Sequence, residues 1–228
     1  MAFGSDRAVR EGIQNMRLLS VNIGKAQHIK NAGKSGKTGI FKHPTTTPVL
    51  ITFLGLVGDE ICDTPNHGGA DQAVYLYGSE DYAWWANEFG YMLAPGTFGE
   101  NFTLSDLESA AYRIGDRFLI GKVILEVTAP RIPCGTLAAR MGDSKFPKRF
   151  QQAERPGLYC RVIQEGAVQE GDSVTLEPFV GETVLAIEMF RNFYRKDQDE
   201  MTIRRYLAAP IAIRARVEME RRLQKLLA

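Results

Sequence analysis

The amino-acid sequence predicts a mainly β domain, a barrel or sandwich, followed by a small α-helical module. Three observations lead there. Short apolar runs broken by glycine and proline turns recur from residue 18 to residue 176. After Pro178 the apolar spacing changes from strand-like to helical. The length of 228 residues suits one full domain plus an appendage, and 22 Gly with 10 Pro mean turns rather than disorder. The expected division is an N-terminal extension over residues 1–16, the β domain over 17–178 and a three-helix module over 179–228.

Each element has its own signal. Leu18-Leu19-Ser20-Val21-Asn22-Ile23 reads as a first strand ended by Gly24, and the Gly/Lys-rich residues 25–37 as a loop. Val49-Leu50-Ile51-Thr52-Phe53-Leu54 reads as a second strand between Pro48 and Gly55, and Ala73-Val74-Tyr75-Leu76-Tyr77 as a third. Ser79 is the expected N-cap of a helix over residues 80–89. Residues 96–176 read as short strands punctuated by turns, with a hairpin at Gly121-Lys122 between Phe118-Leu119-Ile120 and Val123-Ile124-Leu125-Glu126-Val127. In the tail, Val184, Ile187, Phe190 and Tyr194 recur at helical spacing. A second helix is expected over residues 200–208, stopped before Pro210, and a third carries Met219, Leu223, Leu226 and Leu227 on one face.

Composition limits function. A net charge of +1 gives no global field toward nucleic acid or an anionic membrane, so neither is an expected partner. No apolar run reaches the ~20 residues that span a bilayer, and residues 1–16 lack the apolar core of a signal peptide. Three widely spaced cysteines, Cys62, Cys134 and Cys160, do not form a disulfide framework, so a reducing, cytoplasmic setting is expected.

Several segments carry possible chemistry. Gly33-Lys34-Ser35-Gly36-Lys37-Thr38 imitates a phosphate-binding loop but has two residues where four are needed, and it does not lead into a helix. Cys62, His67 and His43 match no paired zinc spacing. Gly58-Asp59 and His67-Gly68-Gly69-Ala70-Asp71-Gln72 are dense in polar groups. The two glycines let backbone approach a ligand, and a tight turn explains the segment equally well. Asn101, in Phe98-Gly99-Glu100-Asn101-Phe102, reads as a turn residue or a ligand contact. In Arg131-Ile132-Pro133-Cys134-Gly135, prolines hold the thiol in a rigid backbone, and Arg131 favours its reactive thiolate; the other reading is a buried structural cysteine.

Together these blocks resemble the MOSC domain, the module at the C-terminal end of molybdenum cofactor sulfurases. The matching stretches include Gly55-Leu56-Val57-Gly58-Asp59, His67-Gly68-Gly69-Ala70-Asp71-Gln72-Ala73-Val74, Phe98-Gly99-Glu100-Asn101, Ile114-Gly115-Asp116, Arg131-Ile132-Pro133-Cys134 and Gly157-Leu158-Tyr159-Cys160-Arg161-Val162, in family order over about residues 17–178. The helical tail resembles the module of the bacterial YiiM-like branch. The resemblance implies a β-barrel-like fold with flanking helices and a molybdenum–pterin cofactor (molybdopterin), with Cys134 as the metal ligand. It also implies reduction of N-hydroxylated compounds such as hydroxylaminopurines. A sulfur carrier or cofactor-delivery module using a Cys134 persulfide or thiolate is the alternative. On this reading Lys25, Arg131 and Arg140 are candidates for the cofactor phosphate. His67, Gly68, Gly69 and Asn101 would contact cofactor or substrate, and His67 or Asp59 would supply protons. The sequence lacks a Gly-rich dinucleotide fingerprint and has too few cysteines for an iron–sulfur cluster, so electrons are expected from an external reductase. The basic third helix, with Arg214, Arg216, Arg221, Arg222 and Lys225, is either its dock or a solvated face.

Overall fold

The computed structural model describes residues 16–30, 36–195 and 197–227. The expected extension therefore lies outside the described residues except for Met16, and so do Gly33, Lys34 and Ser35. Seven strands form a closed barrel: β1 (Met16–Gly24), β2 (Val74–Gly78), β3 (Phe102–Leu104), β4 (Arg117–Ile120), β5 (Val123–Pro130), β6 (Leu158–Gln164) and β7 (Ser173–Glu177). The order around the ring is β7-β4-β5-β6-β2-β3-β1, and β1 closes it on β7 through Met16↔Val174 and Arg17↔Ser173. Every junction is antiparallel except β2–β3, where Leu76 pairs Phe102 in parallel. The expected hairpin joins β4 to β5, and Gly121 takes the positive φ of +56° that its turn requires.

Strand β2 accounts for its own apolar run, because both of its faces are covered. Val74 and Leu76 point into the barrel core with Leu18, Phe102, Leu125 and Val127, while Tyr75 and Tyr77 face a second, aromatic cluster. That cluster brings in Trp85 from the helix Ser79–Phe89, Phe98 from a loop, and Phe146 and Phe150 from the helix Phe146–Ala153. Tyr77 stacks on Phe98 at 4.5 Å, and the indole N–H of Trp85 donates to the Tyr77 hydroxyl at 2.8 Å. Phe98 is completely buried. Truncating such a residue to alanine costs roughly 3–5 kcal/mol.

Some expectations are corrected. Residues 49–54 are not one strand: Val49–Thr52 turns at residues 53 and 54 into Gly55–Leu56, and both join Gly166–Val168 in a small separate sheet. Ser79 is the first helical residue rather than the N-cap, which is Gly78, and its hydroxyl donates to the Glu80 carboxylate. Residues 96–176 also contain two helices, Gly135–Met141 and Phe146–Ala153. In the tail, helices Ala186–Phe193, Glu200–Ala208 and Ile213–Leu227 form, and Val184 precedes the first of them. Asp199 caps the second by accepting from the Thr202 amide at 2.7 Å. Ile203, Tyr206, Ile211 and Met219 bury their side chains in the same core as the barrel strands. Among the described residues, no helix is long and apolar enough to cross a membrane.

Candidate functional site

Strand β5 ends at Pro130, which cannot extend the ladder through an N–H. Residues 131–134 leave it as irregular backbone, and Cys134 becomes the N-cap of helix Gly135–Met141, with extended φ −131° and ψ 174°. The thiol is thereby left half-buried on the wall of a cavity of about 530 Å³. Arg131 also lines the cavity, yet the residue is 4% exposed. Its Nη1 donates to the Phe98 carbonyl, its guanidinium lies 4.9 Å over the Tyr75 ring, and its buried Nε has no partner.

The single helical turn Thr64–His67 brings His67 to the same cavity, beside the thiol. Asp63 and His67 are four residues apart, so they share one face, and His67 Nδ1 lies 3.2 Å from Asp63 Oδ2. The carboxylate orients the ring and favours a proton on Nδ1. Burial pushes the Cys134 thiol up, but the neighbouring His67 imidazole and the charge of Arg131 outweigh it and hold the thiol down at about 6. The surroundings of Cys134 thus favour its thiolate form.

The cavity floor is a locked polar network. The carboxylate of Asp59 accepts from the Gly24 amide at 2.7 Å, from Asn101 Nδ2 at 2.9 Å and from the ammonium of Lys42. Asn101 Oδ1 accepts from the Tyr75 amide at 3.1 Å. Burial pulls the Lys42 pKa down, and Asp59 opposes it. Backbones meet closely here: a Cβ on Gly39 would overlap the Glu60 carbonyl oxygen, so this wall admits only glycine.

Of the residues the sequence singled out, Cys134, His67, Asp59, Asn101 and Arg131 line this cavity. Lys25, Gly68, Gly69 and Arg140 do not. Lys25 is exposed and pairs with Glu60 at 3.6 Å, and Arg140 lies 4.8 Å over the Phe41 ring. Gly68 ends the Thr64–His67 turn, and Gly69 follows with φ +99°. The sequence reading missed Lys42, Asp63, Tyr75 and Tyr159. Asp63 was reachable from its spacing to His67; a lone lysine such as Lys42 gives no signal. Cys62 lines the cavity too, but burial and Glu60 raise its thiol pKa, the reverse of Cys134. Among the described residues no three His, Cys, Asp or Glu side chains group as metal ligands, so a metal here would rest on Cys134.

Comparison with known proteins agrees with this architecture. Residues 63–175 match the MOSC domain. YiiM of Escherichia coli (strain K12) is 32% identical over 154 residues, covering 66% of this chain and 67% of that protein. A protein of Gibberella moniliformis (strain M3125 / FGSC 7600) named a reductase is 31% identical over 179 residues, covering 75% of this chain but 31% of that longer protein. The crystal structure of YiiM from Geobacillus stearothermophilus superposes with a TM-score of 0.75 at 27% identity, covering 91% of this chain and 99% of that one. The barrel, its helical tail and these matches agree, and the chain belongs to the MOSC domain family.

Proposed function

We propose that this chain holds a molybdenum–pterin cofactor in the Cys134 cavity and reduces N-hydroxylated small molecules, hydroxylaminopurines among them, with electrons from a separate reductase. The carrying observation is Cys134 itself: a thiol held at about 6 on a cavity wall, between His67 and the buried Arg131. Membership of a family of molybdenum-cofactor-binding domains and the name of the Gibberella relative support the redox reading.

The residues present fit such a group. A thiolate suits a soft metal. The unpartnered Nε of buried Arg131 suits an added anion such as the cofactor phosphate. When bound, the cofactor supplies the two-electron chemistry at the N–O bond. The chain does the rest. Cys134 holds the metal. Tyr75 and Tyr159 give the cavity an aromatic wall for a planar substrate. Asp63 keeps Nδ1 of His67 occupied, so the other ring nitrogen can take a proton from solvent and pass it to the departing oxygen, which leaves as water. The overall change takes two electrons and two protons, giving amine and water.

The test is metal and pterin analysis of protein from a cofactor-competent host, followed by anaerobic turnover of a hydroxylaminopurine with reduced viologen. Stoichiometric molybdenum with viologen-driven, NADH-independent product is the expected result. Metal-free protein carrying cyanide-labile sulfur on Cys134 would replace this reading with the sulfur-carrier one.

A further inference from the structure

The His67 side of the cavity is built from weak parts. A helix of one turn is not stable alone, because nucleation fixes several residues for one hydrogen bond. Thr64–His67 is such a turn, and no side chain caps its N-terminus. The Gly68 amide closes the turn on the Thr64 carbonyl at 3.1 Å, and Gly68 and the Gly69 that follows resist ordering. The Asp63–His67 contact lies within the segment and cannot fix it to the barrel.

The last helix reaches this segment with its first two residues. Arg214 Nη2 donates to the Gly68 carbonyl at 2.8 Å and the Thr64 carbonyl at 3.2 Å, and Nη1 donates to Gln72 Oε1 at 3.1 Å. One planar guanidinium thus spans both ends of residues 64–72, which an ammonium cannot do. Next to it, the Ile213 amide donates to Asp71 Oδ2 at 2.6 Å, while Asp71 Oδ1 pairs with Arg161 of β6 at 3.0 Å. The Asp71 carbonyl accepts from Thr128 Oγ1 of β5 at 2.6 Å. Residues 64–72 are thereby anchored to the barrel at one end and to the last helix along their length.

We propose that Arg214 is a positioning residue of the cavity: through it the C-terminal helix holds residues 64–72, and with them His67, against Cys134. The helical tail is then a working part of the site. Arg214 is exposed and contributes no side chain to the buried core, so its loss leaves the fold standing. The inference concerns geometry and is tested without any cofactor.

The experiment uses the full chain with Arg214→Ala, Arg214→Lys and, as a control, Arg221→Ala, whose partner Glu218 lies within the same helix. Amide hydrogen exchange and the ring signals of the three histidines are compared with the unsubstituted protein. In Arg214→Ala, exchange over residues 64–72 should accelerate at least about tenfold. The His67 ring signal should shift and broaden, while His28, His43 and strand β5 stay as they were. Arg214→Lys should recover part of the effect, and Arg221→Ala should match the unsubstituted chain. Unchanged exchange over 64–72 with an unchanged His67 signal would overturn the proposal. So would acceleration confined to residues 213–227, which would make Arg214 a fastening of its own helix only.

Discussion

The floor and the wall of the cavity use the same kinds of side chain for opposite ends. On the floor, Lys42 and Asn101 are buried and the Asp59 side chain is nearly so, and Asp59 and Asn101 use their polar atoms on each other, on Lys42 or on the backbone of neighbouring segments. On the wall, Cys134, His67 and Asp63 remain partly exposed, and they influence one another more than they tie strands together. Buried charge that is paired and hydrogen-bonded holds structure; charge at a solvent-reached surface is available for chemistry. Asp59, a proton-donor candidate from its sequence setting, spends its carboxylate on Gly24, Asn101 and Lys42, whereas His67 keeps a partly exposed ring, and on the reading proposed above the proton transfer falls to His67.

The contrast can be broken or sharpened. The largest effect belongs to Cys134→Ser, which should abolish molybdenum retention and turnover, because a hydroxyl is a hard and weakly acidic ligand. Its thermal midpoint should stay within a few degrees, and Cys62→Ser and Cys160→Ser should retain metal. Full molybdenum content in the Cys134 variant would sink the assignment. Next comes Asp59→Ala, which strands Lys42 as a buried unpaired charge and should cost roughly 3–5 kcal/mol in urea unfolding. His67→Ala should cost less than about 1 kcal/mol by the same measurement; equal losses would erase the distinction between floor and wall.

A third test is pH-dependent. Alkylation of Cys134 by iodoacetamide follows the thiolate, so its rate should fall as pH drops through about 6. In His67→Ala the midpoint should rise toward the ordinary thiol value of about 8.5, and an unmoved midpoint would remove His67 from the wall's electrostatics. The smallest effect is at the far end of the last helix. Arg221 and Arg222 pair with Glu218 at 2.7 and 2.8 Å, so reversing both charges should change stability by only about 1 kcal/mol or less. Reductase-driven turnover should slow while viologen-driven turnover does not. Equal rates would leave those arginines as surface pairs.

The strands were the most legible part of the fold. Val123-Ile124-Leu125-Glu126-Val127 and its glycine turn announce a hairpin, and the hairpin forms. The helices Gly135–Met141 and Phe146–Ala153 escaped because they are short and lack side-chain caps, and Phe146 and Phe150 are recognisable as helical neighbours only once the aromatic cluster that buries them is known. At the site, the prolines around Cys134 signalled a special backbone. The pairing of Lys42 with Asp59 did not show, since it depends on residues 42–44 adding to the edge of β1. Lys25 and Arg140 illustrate the converse: a basic residue near a motif in sequence can be turned to an exposed ion pair or an aromatic ring instead.

The seam where β1 meets β7 has a consequence for biosynthesis. Arg17 donates to the Gly171 carbonyl across 154 residues of chain, so the first strand waits for almost the whole domain to emerge before its last neighbour exists. Contacts of such long sequence separation carry a large loop-closure cost and slow the search for the native state. Until then the first strand keeps an unpaired edge, and its fully buried residues Met16 and Leu18 lack part of their final cover. Ribosome-bound chains shorter than about residue 177 should therefore stay protease-sensitive, and the domain should acquire resistance in one late step as the seam shuts.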